Sequence, residues 1–164
     1  MGLFSKIKAK HKEDKKQFLK QEYPAVYVNA CFFELADLFA EKNGSFCGPM
    51  GRIDFWTYLY WYSRDVINEA VTNDYFVTCF CAHLDVNESH PQEEVVAALE
   101  HMRAEEKHLD ETFGLPASGD ELMVFCGHAI ETLYNQKSAT LAIEFAQYLA
   151  RSAQIVCEAF PNNK

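Results

Sequence analysis

The spacing of hydrophobic positions predicts long α-helices separated by short breaks. Apolar residues recur at helical spacing from Ala25 to Lys42, and Asn43-Gly44 supplies a typical helix stop. Similar stripes run through 95–113 and 142–160, each ending beside glycine or proline. Short connections favour antiparallel neighbours. We therefore expect an all-α fold, a single-domain antiparallel helical bundle of five to six helices.

Other segments are marked by local signals rather than by a long stripe. Tyr75 to Leu84 mixes β-branched and aromatic residues with helical surroundings, and we predict a short helix there. Ser89 followed by Gln92, with Pro91 between them, matches a capping box, and so does Ser118 followed by Glu121. Each pattern predicts a helix start.

A third helix, expected from near Arg52 to about Val71, is unusually aromatic. At about 100° per residue its rings cover all sides, so neighbouring helices must surround it. Six rings exceed what a chain of this size buries easily, so we expect part of them to contact a partner protein or a second copy of the chain. The competing expectation is that neighbouring helices cover them all. The six candidates are Phe55, Trp56, Tyr58, Tyr60, Trp61 and Tyr62.

Charge divides the chain into a basic N-terminal helical arm, 1–22, and an acidic all-helical domain, 23–164. The first 20 residues hold seven lysines against Glu13 and Asp14, whereas the whole chain has a formal net charge of −9. The remaining residues therefore carry a net charge of −14. Such a domain favours a basic protein partner and makes nucleic acid an unlikely one.

Size and composition indicate one compact domain inside the cell. The 164 residues contain no apolar run approaching the roughly 20 residues that span a bilayer, and no secretory signal pattern. We expect no transmembrane segment and a cytoplasmic location. The six cysteines lie mostly within predicted helices, which favours small reduced core residues over disulfides.

His101, Glu105 and His108 form the sharpest candidate for a metal site. They lie at i, i+4 and i+7 of a predicted helix, and the last two match the Glu-x-x-His spacing of carboxylate metal sites in helical bundles. Such sites need a second pair, which the sequence lacks. Zinc or iron is therefore the minor hypothesis, no cofactor is expected, and a solvated flank with ion pairs is the competing interpretation.

Two cysteine patterns match neither a zinc site nor a catalytic cysteine site. Cys79, Cys81 and His83 occupy alternate positions, with one residue between each pair of neighbours. Paired cysteine ligands of zinc usually have two to four residues between them. Cys126 and His128 would point about 200° apart on a helix, so this histidine could not activate that thiol. Glycine-rich nucleotide loops, nucleophile elbows and His-Glu-x-x-His are also missing, so an enzyme is the less favoured interpretation.

These observations leave three functional hypotheses. The leading one is a non-catalytic protein-binding factor, for example an inhibitor or immunity-type protein that neutralises a partner through its acidic and aromatic helical surface. The first alternative is a helical-bundle enzyme or sensor holding a metal or small ligand. The second is a membrane or nucleic-acid contact through the basic arm, although that arm has no continuous apolar face.

Overall fold

The computed structural model describes residues 2–114 and 119–161. These residues form seven α-helices and one π-helical turn, and no strand occurs among them. The all-α prediction is confirmed, but the predicted count of five to six helices is wrong, because seven form in this part of the chain. The elements are α1 (Leu3–Glu22), α2 (Pro24–Asn43), α3 (Gly51–Ala70), α4 (Asn73–Ala82), the π turn (His83–Asn87), α5 (Gln92–Phe113), α6 (Asp120–Tyr134) and α7 (Ala139–Ala159).

Helix α3 lies at the centre of the bundle. It packs against α2, α4, α5, α6 and α7. Every residue from Ile53 to Trp61 is buried. A helix with apolar rings on all sides is stable in water only when other helices surround it. The prediction that α3 is enclosed is therefore confirmed.

The start of α5 differs from the sequence prediction. Pro91 is its N-cap and forms no side-chain cap hydrogen bond, whereas Ser89 lies outside the helix in a left-handed conformation with φ of 55°. The capping box at Ser89 is therefore wrong, because Ser89 lies in the connection between the π turn, which ends at Asn87, and the helix, which begins at Gln92. The second box rests on Ser118, which lies outside the described residues. Ser138 does cap α7, since its Oγ accepts a hydrogen bond from Leu141 N at 3.2 Å.

Helix α1 packs along α2 with only one side. It contains no buried residue, and Tyr23 alone separates it from α2. Lys16 Nζ lies 2.8 Å from Glu34 Oε2, and Lys20 Nζ lies over the Tyr27 ring, so the two helices run antiparallel. None of the described helices has the length and apolar character that crossing a bilayer requires.

Candidate functional site

The aromatic residues of α3 lie in the core rather than on a contact surface. Tyr62 is half-buried, and the other five are at most 1% exposed. Those five are Phe55, Trp56, Tyr58, Tyr60 and Trp61. Neighbouring helices therefore cover these five rings within the single chain, which agrees with the competing expectation for them. Tyr62 alone keeps access to solvent.

Both tryptophan N–H groups of α3 find acceptors on neighbouring helices. Trp56 Nε1 donates to Asn29 Oδ1 at 3.1 Å, and the Asn29 amide donates in turn to the carbonyl of Phe76 at 3.2 Å. Trp61 Nε1 donates to Asp110 Oδ1 at 3.0 Å. A buried indole without an acceptor would be costly, so these contacts explain how one helix accommodates so many large rings.

Two of the three candidate metal ligands on α5 are engaged by different partners. His101 Nε2 lies 2.6 Å from Asp54 Oδ1. Glu105 Oε1 accepts a hydrogen bond from the Tyr58 hydroxyl at 3.1 Å and lies 3.4 Å from His128 Nε2. The sequence pattern thus located a polar layer where α5 meets α3 and α6. Within this layer, each carboxylate pairs with an imidazole or with a phenol hydroxyl.

The third candidate, His108, is exposed, and its ring centroid lies 5.4 Å from that of His128. Across residues 2–114 and 119–161, no group of three or more His, Cys, Asp or Glu is placed to hold a metal ion. The zinc or iron hypothesis therefore has no geometric support in this part of the chain.

Burial and pairing shift the pKa values of the two acids in this polar layer, Asp54 and Glu105, in opposite directions. Burial raises the pKa of Asp54 and outweighs the hydrogen bond with His101, which lowers it. The hydrogen bond with His128 lowers the pKa of Glu105 and outweighs the opposing effect of burial. Asp54 is only 8% exposed, so its pairing with His101 satisfies an acid within the core.

The cysteine candidates do not form a reactive site. Burial raises the pKa of the Cys126 thiol to about 11, and His128 faces Glu105 instead. Cys79 is buried on α4, whereas His83 lies in the π turn with its Nε2 3.2 Å from Glu88 Oε1. A thiol is a nucleophile only as the thiolate, so the shift at Cys126 is unfavourable for catalysis.

A second polar cluster surrounds Arg52 at the start of α3. Its guanidinium donates to both carboxylate oxygens of Asp37, at 2.7 and 3.2 Å, and to Glu88 Oε2 at 2.7 Å. It also lies 4.6 Å from the centroid of the Phe33 ring, against which His83 stacks at the same distance. Arg52 thus connects α2, α3 and the segment after the π turn.

The π turn places Glu88 within this cluster. Glu88 N donates to the carbonyl of His83 at 3.2 Å, five residues back, which is the wide hydrogen bond of a π-helix. The side chain of Glu88 then faces Arg52, His83 and, at 3.3 Å, His90. Burial alone would raise the pKa of Glu88, but the hydrogen bonds with His83 and Arg52 prevail and lower it to about 2.

A groove of about 390 Å³ lies beside the Arg52 cluster, between the start of α3, the π turn and α5. Its lining is mostly apolar, with three charged or titratable side chains. Ligand sites in proteins have this volume and composition. The apolar lining is Pro49, Met50, Ile53, Leu84, Ala97 and Ala98, and the polar lining is Arg52, His90 and Glu94.

The sequence interpretation missed the residues that organise this groove. Arg52, Asp37 and Glu88 are far apart in the sequence and belong to no motif, so no local signal brings them together. Asp54 did carry a signal, because it is an acid within an otherwise apolar and aromatic run. Such a residue predicts a buried partner, here His101.

Comparisons with protein-family models, with curated proteins and with solved structures found no match to this chain.

Proposed function

We propose that this chain is a non-catalytic protein-binding factor, and that the groove between α3, the π turn and α5 receives an apolar side chain from a segment of the partner that also carries basic residues. The observation that carries the proposal is the combination of an apolar floor and an acidic rim. Apolar pockets anchor partner side chains, while charge around them selects the partner and speeds encounter.

The rim of the groove holds more negative than positive charge. Glu94 lines the groove, and Glu88 and Asp37 bind Arg52 at its edge, so the rim holds three carboxylates and one guanidinium. The hydrogen bond with Glu94 raises the pKa of His90, whose Nδ1 lies 2.6 Å from Glu94 Oε2. Together with the acidic domain around it, this rim favours lysine or arginine beside the inserted apolar side chain.

The backbone around the groove is suited to binding. The π turn contributes Leu84 to the wall, and the left-handed Ser89 follows it before α5 begins. π turns and left-handed residues other than glycine occur often at functional sites, where surrounding contacts maintain them. Here the contacts of Glu88 with Arg52 and His83 hold the wall in place, so the groove exists before a partner arrives.

A peptide selection tests this proposal with a defined probe. Short random peptides displayed on phage are selected on the full chain alone, and the enriched peptides are then measured on Ala97→Phe, in which a ring fills the groove from an exposed position of α5. We expect the enriched peptides to combine apolar with basic residues. Their binding should weaken at least about tenfold in Ala97→Phe and also as salt rises.

Ala104→Phe is the matched control. Ala104 is exposed and lies two turns further along the same side of α5, roughly 10 Å from Ala97 and outside the groove lining. Peptide binding to this variant should stay within about twofold of wild type. Equal affinity for the wild type and Ala97→Phe, or selection of acidic peptides, would refute the proposal.

A further inference from the structure

Helix α1 turns its apolar side away from the rest of the protein. Leu3, Phe4, Ile7 and Phe18 are 70%, 87%, 57% and 56% exposed. At about 100° per residue, these four positions fall within an arc of about 100°. The half-buried residues of α1 are Lys16, Leu19 and Lys20. The centre of these three positions lies roughly 160° around the helix axis from the centre of that arc. The apolar side of α1 therefore faces solvent.

The side that faces the protein is basic and meets acidic groups. Lys16 pairs with Glu34 at 2.8 Å, and Lys20 Nζ lies 3.6 Å from Glu158 Oε2. This arrangement reverses the usual one, in which a surface helix places its apolar side on the core. Charge pairing with the acidic domain thus orients α1 so that its hydrophobic residues remain outside.

His11 and Asp14 interrupt the outer arc, so its apolar residues form two groups. Phe18 contacts Tyr23, with ring centroids 6.1 Å apart. The other group is an exposed tip made of Leu3, Phe4 and Ile7. Four lysines flank the outer arc along its two edges. On one edge are Lys6 and Lys10, and on the other are Lys8 and Lys15.

We propose that this tip of α1 binds an anionic lipid bilayer, with Leu3, Phe4 and Ile7 inserted at the level of the headgroups and the flanking lysines on the lipid phosphates. An apolar strip bordered by lysines is the pattern of helices that lie in a membrane interface. Lysines near such a surface add electrostatic attraction. The acidic domain lies behind α1, on the side opposite the tip, where its repulsion from the bilayer is weakest.

Nucleic acid fits this surface less well than lipid. It would use the lysines, but it offers no apolar environment for a leucine, an isoleucine and a phenylalanine on one side of a helix. The tip is also distinct from the groove beside α5, which has an acidic rim. Membrane binding and partner binding therefore rest on separate surfaces, and either proposal can fail alone.

Vesicle binding tests the membrane proposal on the full chain. The probes are vesicles of pure phosphatidylcholine and vesicles in which about one-third is phosphatidylglycerol. Wild type should partition onto the anionic vesicles at least about tenfold more strongly, and added salt should reduce the difference. Phe4→Ala/Ile7→Ala should lose most of this binding, and Lys6→Gln/Lys8→Gln/Lys10→Gln should lose the preference for anionic lipid. Because α1 has no buried residue, these variants should remain folded, which circular dichroism checks.

Val124→Ala is the matched control for apolar exposure. Val124 is 62% exposed on α6, comparable to Ile7, yet it lies outside the proposed surface. Its substitution should leave vesicle binding unchanged. Equal binding of wild type to both vesicle types, or wild-type binding by Phe4→Ala/Ile7→Ala, would overturn the proposal. Self-association through α1 without any binding to vesicles would overturn it as well.

Quenching by brominated lipid reports insertion directly. Trp56 and Trp61 are at most 1% exposed, so lipid cannot reach them in the folded chain. A tryptophan introduced by Phe4→Trp should be quenched on anionic vesicles, whereas one introduced by Val124→Trp should not. Absence of quenching in Phe4→Trp under conditions where the protein is bound would contradict insertion of the tip.

Discussion

Glu88→Gln tests whether the Arg52 cluster stabilises the fold through the half-buried negative charge of Glu88. The fall of the Glu88 pKa from 4.5 to about 2 corresponds to about 3 kcal/mol, at about 1.4 kcal/mol per pKa unit. The Glu88 side chain is 18% exposed, so solvent screens the interaction only in part. We therefore expect Glu88→Gln to lower the free energy of unfolding at neutral pH by about 2 to 3 kcal/mol.

The pH dependence distinguishes this electrostatic effect from altered packing. A carboxyl whose pKa is lower in the folded state stabilises the protein above its unfolded pKa, and the effect is lost as pH falls through the folded pKa. The difference between wild type and Glu88→Gln should therefore be complete above about pH 5 and should shrink towards pH 2.

Urea unfolding at constant ionic strength, followed by circular dichroism at a series of pH values, measures this difference. Glu100→Gln, at an exposed position of α5, is the control and should change stability by less than about 0.5 kcal/mol throughout. Equal stability of wild type and Glu88→Gln at neutral pH would refute the reasoning. A difference that persists undiminished in acid would also do so.

Three further predictions concern packing and helix propensity, and urea unfolding measures all of them. Leu149 is fully buried, whereas Leu99 is half-buried. Leu149→Ala should therefore lower the free energy of unfolding by about 2 to 5 kcal/mol, and Leu99→Ala by less than half of that. Equal losses would contradict the burial pattern. Gly127→Ala should stabilise α6 by about 0.5 to 1 kcal/mol, because an added Cβ meets nothing within 4 Å. Gly51→Ala should instead destabilise by about 1 to 3 kcal/mol, since its Cβ would overlap with the side chain of Phe46. A stabilising effect there would contradict this steric argument.

The sequence by itself determined where the helices are and which of them must be enclosed. Apolar spacing, together with glycine and proline at the breaks, located the α2 and α3 segments to within about two residues. The ring distribution of α3 required neighbours on every side, and the structure places five helices around it. These properties follow from local geometry, because 3.6 residues per turn convert spacing directly into faces.

Tertiary structure decided which side chains meet. The sequence placed His101 and Glu105 on one line of α5, yet the packing of α3 and α6 turned that line into separate pairs with Asp54, Tyr58 and His128. Likewise, nothing in the sequence showed that five of the six rings would be covered, because coverage depends on how neighbouring helices approach α3.

The groove and the outward tip of α1 depend on long-range packing in the same way. Arg52 meets residues 15 positions before it and 36 positions after it, once α2 and the π turn have docked. Periodicity gives the apolar arc of α1, but only the docked structure, in which Lys16 pairs with Glu34 and the arc stays exposed, shows that this arc faces away from the protein. A sequence specifies the faces of its helices locally, whereas the contacts between them follow from the packing of the whole chain.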